Sequence, residues 1–94
     1  MRLKSEEINL LKNTLSKLSH EAKLYLFGSR VDDNKKGGDI DLLVVSKDLK
    51  KRDLRTLRIE FCKNFGDQKI DILLDDGSFK QTFHKLIFQK AVQL

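Results

Sequence analysis

Three aspartates interrupt runs that are otherwise apolar. Asp39 and Asp41 flank Ile40 at the head of the run Leu42-Leu43-Val44-Val45, and Asp71 lies between Ile70 and Ile72 in the segment Lys69 to Leu74. Side chains two apart on a strand leave the same face, so Asp39 and Asp41 share one face while Ile40 and Leu42 take the other. Asp71 can reach that face from a neighbouring strand. Carboxylates gathered without a countercharge repel one another, and burial penalises their ionised form further. Hard oxygen ligands suit magnesium or manganese, and three acids can hold two such ions about 3.5 to 4 Å apart, the working distance for in-line phosphoryl displacement. Each acid also has a duller reading. Asp-x-Asp pairs are commonplace on half-exposed strands, and Asp71 alone can be an edge-strand charge that deters aggregation.

A phosphate cradle can lie beside the acids. Gly28 follows the apolar run Lys23 to Phe27, and a glycine there can take a positive φ and let the backbone approach a ligand closely. Ser29 offers a hydroxyl and an amide. If Ser29 and Arg30 open even one helical turn, their amides point at an anion, and Arg30 adds a fixed positive charge. A Gly-Ser pair after a strand is, taken alone, usually just a turn. The combination in order and at this spacing is far more specific than its parts.

These groups need elements to hold them. Ser5, followed by Glu6 and Glu7, is a good helix start, and Ile8, Leu11, Leu15 and Leu18 recur at helical spacing, so a helix is expected over about 5–19. Strands are expected at Lys23 to Phe27, Asp39 to Val45 and Lys69 to Leu74. Asp48 is the expected cap of a helix over about 49–65, with Leu54, Leu57, Phe61 and Phe65 on one face and Gly66 at its end. After the turn Asp75-Asp76-Gly77, Ser78 is the expected cap of a last helix with Phe79, Phe83, Leu86, Ile87 and Ala91 inward. The order α-β-β-α-β-α implies an α/β (α+β) fold, a small mixed sheet of three to four strands covered by helices. Strand order and the direction of pairing stay open.

The bulk composition sets bounds. Ninety-four residues, 39% hydrophobic and 35% charged, fit one domain over residues 1–94. Cys62 is the lone cysteine, which excludes a disulfide framework and reads as cytoplasmic. No apolar stretch approaches the roughly 20 residues that span a bilayer, so no membrane partner is expected. The charge of +5, from 19 Lys plus Arg against 14 Asp plus Glu, favours polyanionic partners without choosing among them. The basic residues are not interleaved with aromatics as on a single-strand platform.

The run Leu26-Phe27-Gly28-Ser29-Arg30, followed by Asp39-Ile40-Asp41-Leu42-Leu43-Val44, resembles the signature of the minimal nucleotidyltransferases within the DNA polymerase beta superfamily, and Asp71 in Lys69-Ile70-Asp71-Ile72-Leu73-Leu74 matches their third strand acid. The likeness spans about residues 24–74. It implies the polymerase beta-like fold, with Asp39, Asp41 and Asp71 as catalytic acids and ligands of two Mg2+ or Mn2+ ions, and Gly28, Ser29 and Arg30 holding the triphosphate of ATP. Three departures fall in one loop. Nine residues separate Ser29 from Asp39, one fewer than the commonest spacing; Asp33 replaces a frequent glycine; Gly38 stands where serine usually precedes the acid.

Small proteins of this kind are often antitoxins encoded beside a helical HEPN ribonuclease toxin, and transfer AMP to one of its tyrosines. The resemblance therefore implies a protein adenylyltransferase whose partner presents the hydroxyl, since 94 residues leave little for an acceptor-binding domain. The alternatives are an antitoxin that acts by covering its partner, or a transferase acting on a small molecule or on RNA. His20 and His84 show no ligand spacing and are expected to cap a helix or face solvent. Cys62 and Tyr25 are expected in the core, and Phe88 lies off the main stripe.

Overall fold

The structure, a computed structural model, describes residues 3–31 and 39–94, except for the side chains of Ser29 and Arg30. Helix α1 (Ser5–Leu18) leads into strand β1 (Lys23–Phe27), a single 3-10 turn (Gly28–Val31) and strand β2 (Ile40–Val45). Helix α2 (Lys51–Phe65), strand β3 (Ile70–Asp75), helix α3 (Thr82–Lys90) and the two-residue strand β4 (Val92–Gln93) follow. The expected mixed sheet has four strands in the order β3-β2-β1-β4.

Pairing follows from the connections. β1 and β2 run antiparallel, while β2 and β3 run parallel, because α2 carries the chain back along the sheet between them. β4, which sequence reasoning missed, pairs antiparallel with β1 at Tyr25 and Leu26. Two residues are too few for hydrophobic alternation to register.

The strand period sorts the side chains. One sheet face carries Leu24, Leu26, Ile40, Leu42, Val44 and Ile70, which pack with Leu11 and Leu15 of α1 and Leu54, Leu57 and Phe61 of α2. The other carries Tyr25, Phe27, Asp41, Leu43, Asp71, Leu73 and Asp75, read from the pairing register. α3 covers only part of this second face. Phe88 meets Tyr25 edge to face, with ring centroids 5.0 Å apart, and Phe79 at 4.6 Å.

The local stops differ from those expected, and in each case a neighbouring group takes the role. Lys4, not Ser5, precedes α1, and its amide donates to the Glu7 carboxylate at 2.9 Å. The Asp48 carboxylate accepts the Ser19 hydroxyl instead of capping a helix. Ser46 Oγ accepts the amides of Asp48 and Leu49, and Asp53 accepts that of Lys50, so α2 begins at Lys51. Ser78 bonds back to Asp76, and α3 starts only at Thr82. Gly66 ends α2 at φ 82, as anticipated.

α3 is rotated from its expected orientation. Phe83 and Leu86 are 61% and 57% exposed, whereas His84 is buried. The reason is Asp75, buried at the end of β3. Its Oδ1 accepts the amides of Gly77 at 2.8 Å and Phe79 at 3.1 Å, and its Oδ2 meets His84 Nδ1 at 2.9 Å. This acceptor holds Phe79 at φ 52, the positive-φ conformation that a non-glycine residue adopts only with help. Satisfying a buried carboxylate outweighs burying one face of a short helix.

Burial alone would push the Asp75 carboxyl upward, but the His84 hydrogen bond and the two amides outweigh it and hold it below the ordinary 3.8. A lowered native pKa stabilises the fold above the unfolded value and loses that effect as pH falls through the native one. Asp75→Ala strands two amides and the ring, so we expect a loss of about 2–3 kcal/mol at neutral pH by denaturant titration. The gap to wild type should shrink in acid. A gap that is constant with pH would show that the charge of Asp75 is not its source.

Candidate functional site

Phe27 pairs with Asp41 across β1 and β2, and Asp41 pairs with Asp71 across β2 and β3. The parallel register thus puts the two carboxylate-bearing positions level, on the sheet face that α3 shares. The chain then leaves β1 at Gly28, whose φ is +82. A Cβ there would collide with Asp41 Oδ2 and stand 3.2 Å from Asp41 Cγ. Glycine is therefore required twice over, by its left-handed conformation and by the carboxylate against its Cα. The 3-10 turn Gly28–Val31 starts at this point, so the backbone of Ser29 and Arg30 does open a helical turn.

Charge accumulates at Asp41. Burial raises its pKa, followed by the repulsion of Asp71 and then of Asp39, while Lys69 lowers it. Asp39 stands just before β2, level with Lys69, whose carbonyl accepts the Ile40 amide at 3.0 Å. Lys69 Nζ lies 3.5 Å from Asp39 Oδ2, with the Lys69 side chain largely exposed and that of Asp39 about half so, so this ion pair adds little stability. Sequence reasoning missed Lys69. Its signal was positional, since Lys69 precedes Asp71 by the same two residues by which Asp39 precedes Asp41.

Among the described residues, no group of three or more His, Cys, Asp or Glu is arranged to hold one metal ion. Asp41 and Asp71 form the level pair, and Asp39 is engaged by Lys69. The donor chemistry nevertheless fits a hard divalent cation. Asp41 is a half-buried carboxylate held above its ordinary range, beside a second and an exposed third, and such a cluster is relieved by positive charge. The expectations for the side chains of Ser29 and Arg30, and for Asp33 and Gly38, lie outside the described residues.

Residues 8–93 match the nucleotidyltransferase domain family. The chain belongs to that family. No curated protein matches it. The activity of this nucleotidyltransferase domain is accordingly the transfer of a nucleotidyl group from a nucleoside triphosphate, which enzymes of the family generally perform with a divalent metal. The mixed four-stranded sheet with three helices agrees with the family's fold. No helix among the described residues is long and apolar enough to cross a membrane.

Two outcomes are expected of variants here. A raised native pKa means that the neutral acid suits the fold, so its contribution is present below 3.8 and is lost as pH rises through the native value. Ionised Asp41 then costs stability at neutral pH, and Asp41→Asn should melt higher than wild type in chelator-treated buffer. Adding manganese should raise the wild-type melting temperature and leave the variant unmoved. A variant that melts lower without metal would contradict like-charge strain. Gly28→Ala should lose about 1–2 kcal/mol from the left-handed backbone alone, measured by denaturant titration, and should also weaken the manganese response because its Cβ displaces the Asp41 carboxylate.

Proposed function

We propose that this protein transfers AMP from ATP to an acceptor hydroxyl, with Mg2+ or Mn2+ held by Asp39, Asp41 and Asp71, and that the acceptor is a tyrosine of a HEPN-type toxin for which it is the antitoxin. The observation that carries the transferase reading is the level pair Asp41 and Asp71 beside the Gly28 turn. The open setting of the acids supports a protein acceptor. Asp71 is exposed and Asp39 and Asp41 are half-buried, so a side chain projecting from a larger surface can reach them.

When bound, the divalent ions supply charge neutralisation at the reacting phosphate and at the departing pyrophosphate. The residues divide the remaining tasks. Gly28 lets the backbone approach the triphosphate, and Ser29 with Arg30 grips it. Asp71, the most exposed of the acids, accepts the acceptor's proton as the oxygen-to-phosphorus bond forms and the bond to pyrophosphate breaks. Lys69 balances Asp39 while the site is empty of substrate and can turn to the incoming phosphates, since its side chain is 70% exposed.

The Asp39–Lys69 pair also favours one competing reading. A cluster that carries its own cation suits an antitoxin that acts by covering its partner. The two readings separate in one experiment, in which protein and toxin are incubated with ATP and magnesium and the toxin is weighed intact. Transfer predicts a mass gain of one AMP, reduced on the order of 10²–10³-fold by Asp41→Asn or Asp71→Asn, together with loss of neutralisation. Neutralisation by Asp41→Ala without any added nucleotide would establish the covering mechanism and remove the catalytic one.

A further inference from the structure

β3 is an edge strand, and its outer side lies unpaired among the described residues. The carbonyl of Lys69 accepts the amide of Ile40 in β2 at 3.0 Å, and that of Asp75 accepts the amide of Ser46, just after β2, at 2.9 Å. Backbone groups alternate sides along a strand, so Lys69, Asp71, Leu73 and Asp75 face β2, and the N–H and C=O groups of Ile70, Ile72 and Leu74 face outward. Ile72, Leu73 and Leu74 are all half-buried. Three successive branched apolar residues beside free backbone donors and acceptors form a template for another strand.

The strand edge opens into a groove of about 480 Å³ between α2 and α3. Its α2 wall bears Lys51, Arg55 and Arg58, spaced so that they line one side of the helix. All three are exposed, and none forms an ion pair with another described residue. No carboxylate from the described residues lines the groove, and no Phe, Tyr or Trp does.

We infer that this groove receives an extended, acidic segment of a partner protein, which adds to the sheet beside β3 and sets its carboxylates against Lys51, Arg55 and Arg58. The strand edge supplies main-chain hydrogen bonds and the basic row supplies selectivity for acidic residues. A second copy of this chain is disfavoured, because edge-to-edge pairing of two β3 strands would bring like basic rows together. RNA is disfavoured because the groove offers no Phe, Tyr or Trp for base stacking, and its one imidazole, His84, is buried against Asp75. Asp71 lies in the same strand, so a docked segment runs past the candidate site. That last link rests on the transferase reading, whereas the docking does not.

The test uses the full chain and a fluorescein-labelled peptide alternating glutamate and valine, read by anisotropy. A lysine and valine peptide, an oligouridylate, and the acidic peptide N-methylated along one edge serve as comparisons. The acidic peptide should bind, weaken with salt, and lose on the order of tenfold or more with Arg55→Glu plus Arg58→Glu. N-methylation should cost on the order of tenfold by removing strand hydrogen bonds, and peptide should slow amide exchange at Ile70, Ile72 and Leu74. These are surface substitutions, and a melting curve matching wild type confirms the fold. No binding of the acidic peptide, equal binding of the lysine peptide or the oligouridylate, or indifference to charge reversal would overturn the inference. So would a dimer in sedimentation that the charge reversal dissolves, which would assign the groove to a second copy. Each of these outcomes leaves the mass-gain experiment untouched, so the docking and the transfer chemistry fail separately.

Discussion

The parallel alignment of β2 with β3 is the constraint on which the site depends. It brings Asp41 level with Asp71 and, by the same register, Ile40 with Ile70, Leu42 with Ile72 and Val44 with Leu74. A slip of one residue would exchange the two faces of β3. Both acids and core would suffer, because Ile70 would leave the layer formed with α1 and α2 while Asp71 entered it. The apolar core therefore enforces the placement of the acids. The helix that makes a parallel pairing possible, α2, also supplies Leu54, Leu57 and Phe61 to that core, so connection and packing act together.

A like-charge cluster is a poor use of a sheet if stability alone is considered. Asp41 sits against Gly28, partly buried, with Asp71 and Asp39 both pushing its pKa upward. The one cation acting on it among these causes is Lys69, on an exposed and flexible stem. Contrast Asp75, at the other end of β3, where two amides and a histidine satisfy a buried carboxylate and lower its pKa. The same residue type in two paired strands is thus stabilising at one end of the sheet, at Asp75 of β3, and strained at the other, at Asp41 of β2. Strain of this kind is what a functional site retains and a structural one removes.

Much of this was legible from residue types. β1 has the bounds expected of it, Gly66 ends α2, and the alternation in Asp39-Ile40-Asp41-Leu42 sorts acids from core because period two is a strong local signal. Legibility failed where the deciding partner is distant in sequence. Ser46 and Asp53, rather than Asp48, organise the start of α2, and Ser19 claims Asp48 from 29 residues away. The inward face of α3 is not legible for the same reason. Its apolar residues occur densely enough to allow more than one inward face, and the buried Asp75–His84 contact selects among them. Of the candidate site, the shared face of Asp39 and Asp41 and the turn at Gly28 followed from pattern and turn chemistry. The level pairing of Asp41 with Asp71, the closeness of Gly28 to Asp41 and the hold of Lys69 on Asp39 did not, because register between strands is not written in either strand alone.

The two sheet faces are covered unequally, and that inequality bears on the proposed acceptor. Two helices seal the first face, where Leu26, Ile40 and Leu42 are fully buried. On the second face α3 is short, and its orientation is dictated by His84, so Phe83 and Leu86 point outward and the end of the sheet that bears Asp71 stays open. A closed pocket that shapes a small acceptor would require cover where this face has little. An open ledge of carboxylates beside a strand edge that is unpaired among the described residues is compatible with the proposed protein acceptor, which would supply both the missing wall and the hydroxyl. Under the proposal of a protein acceptor, the hydroxyl and the rest of the binding site would arrive together, and docking would precede chemistry.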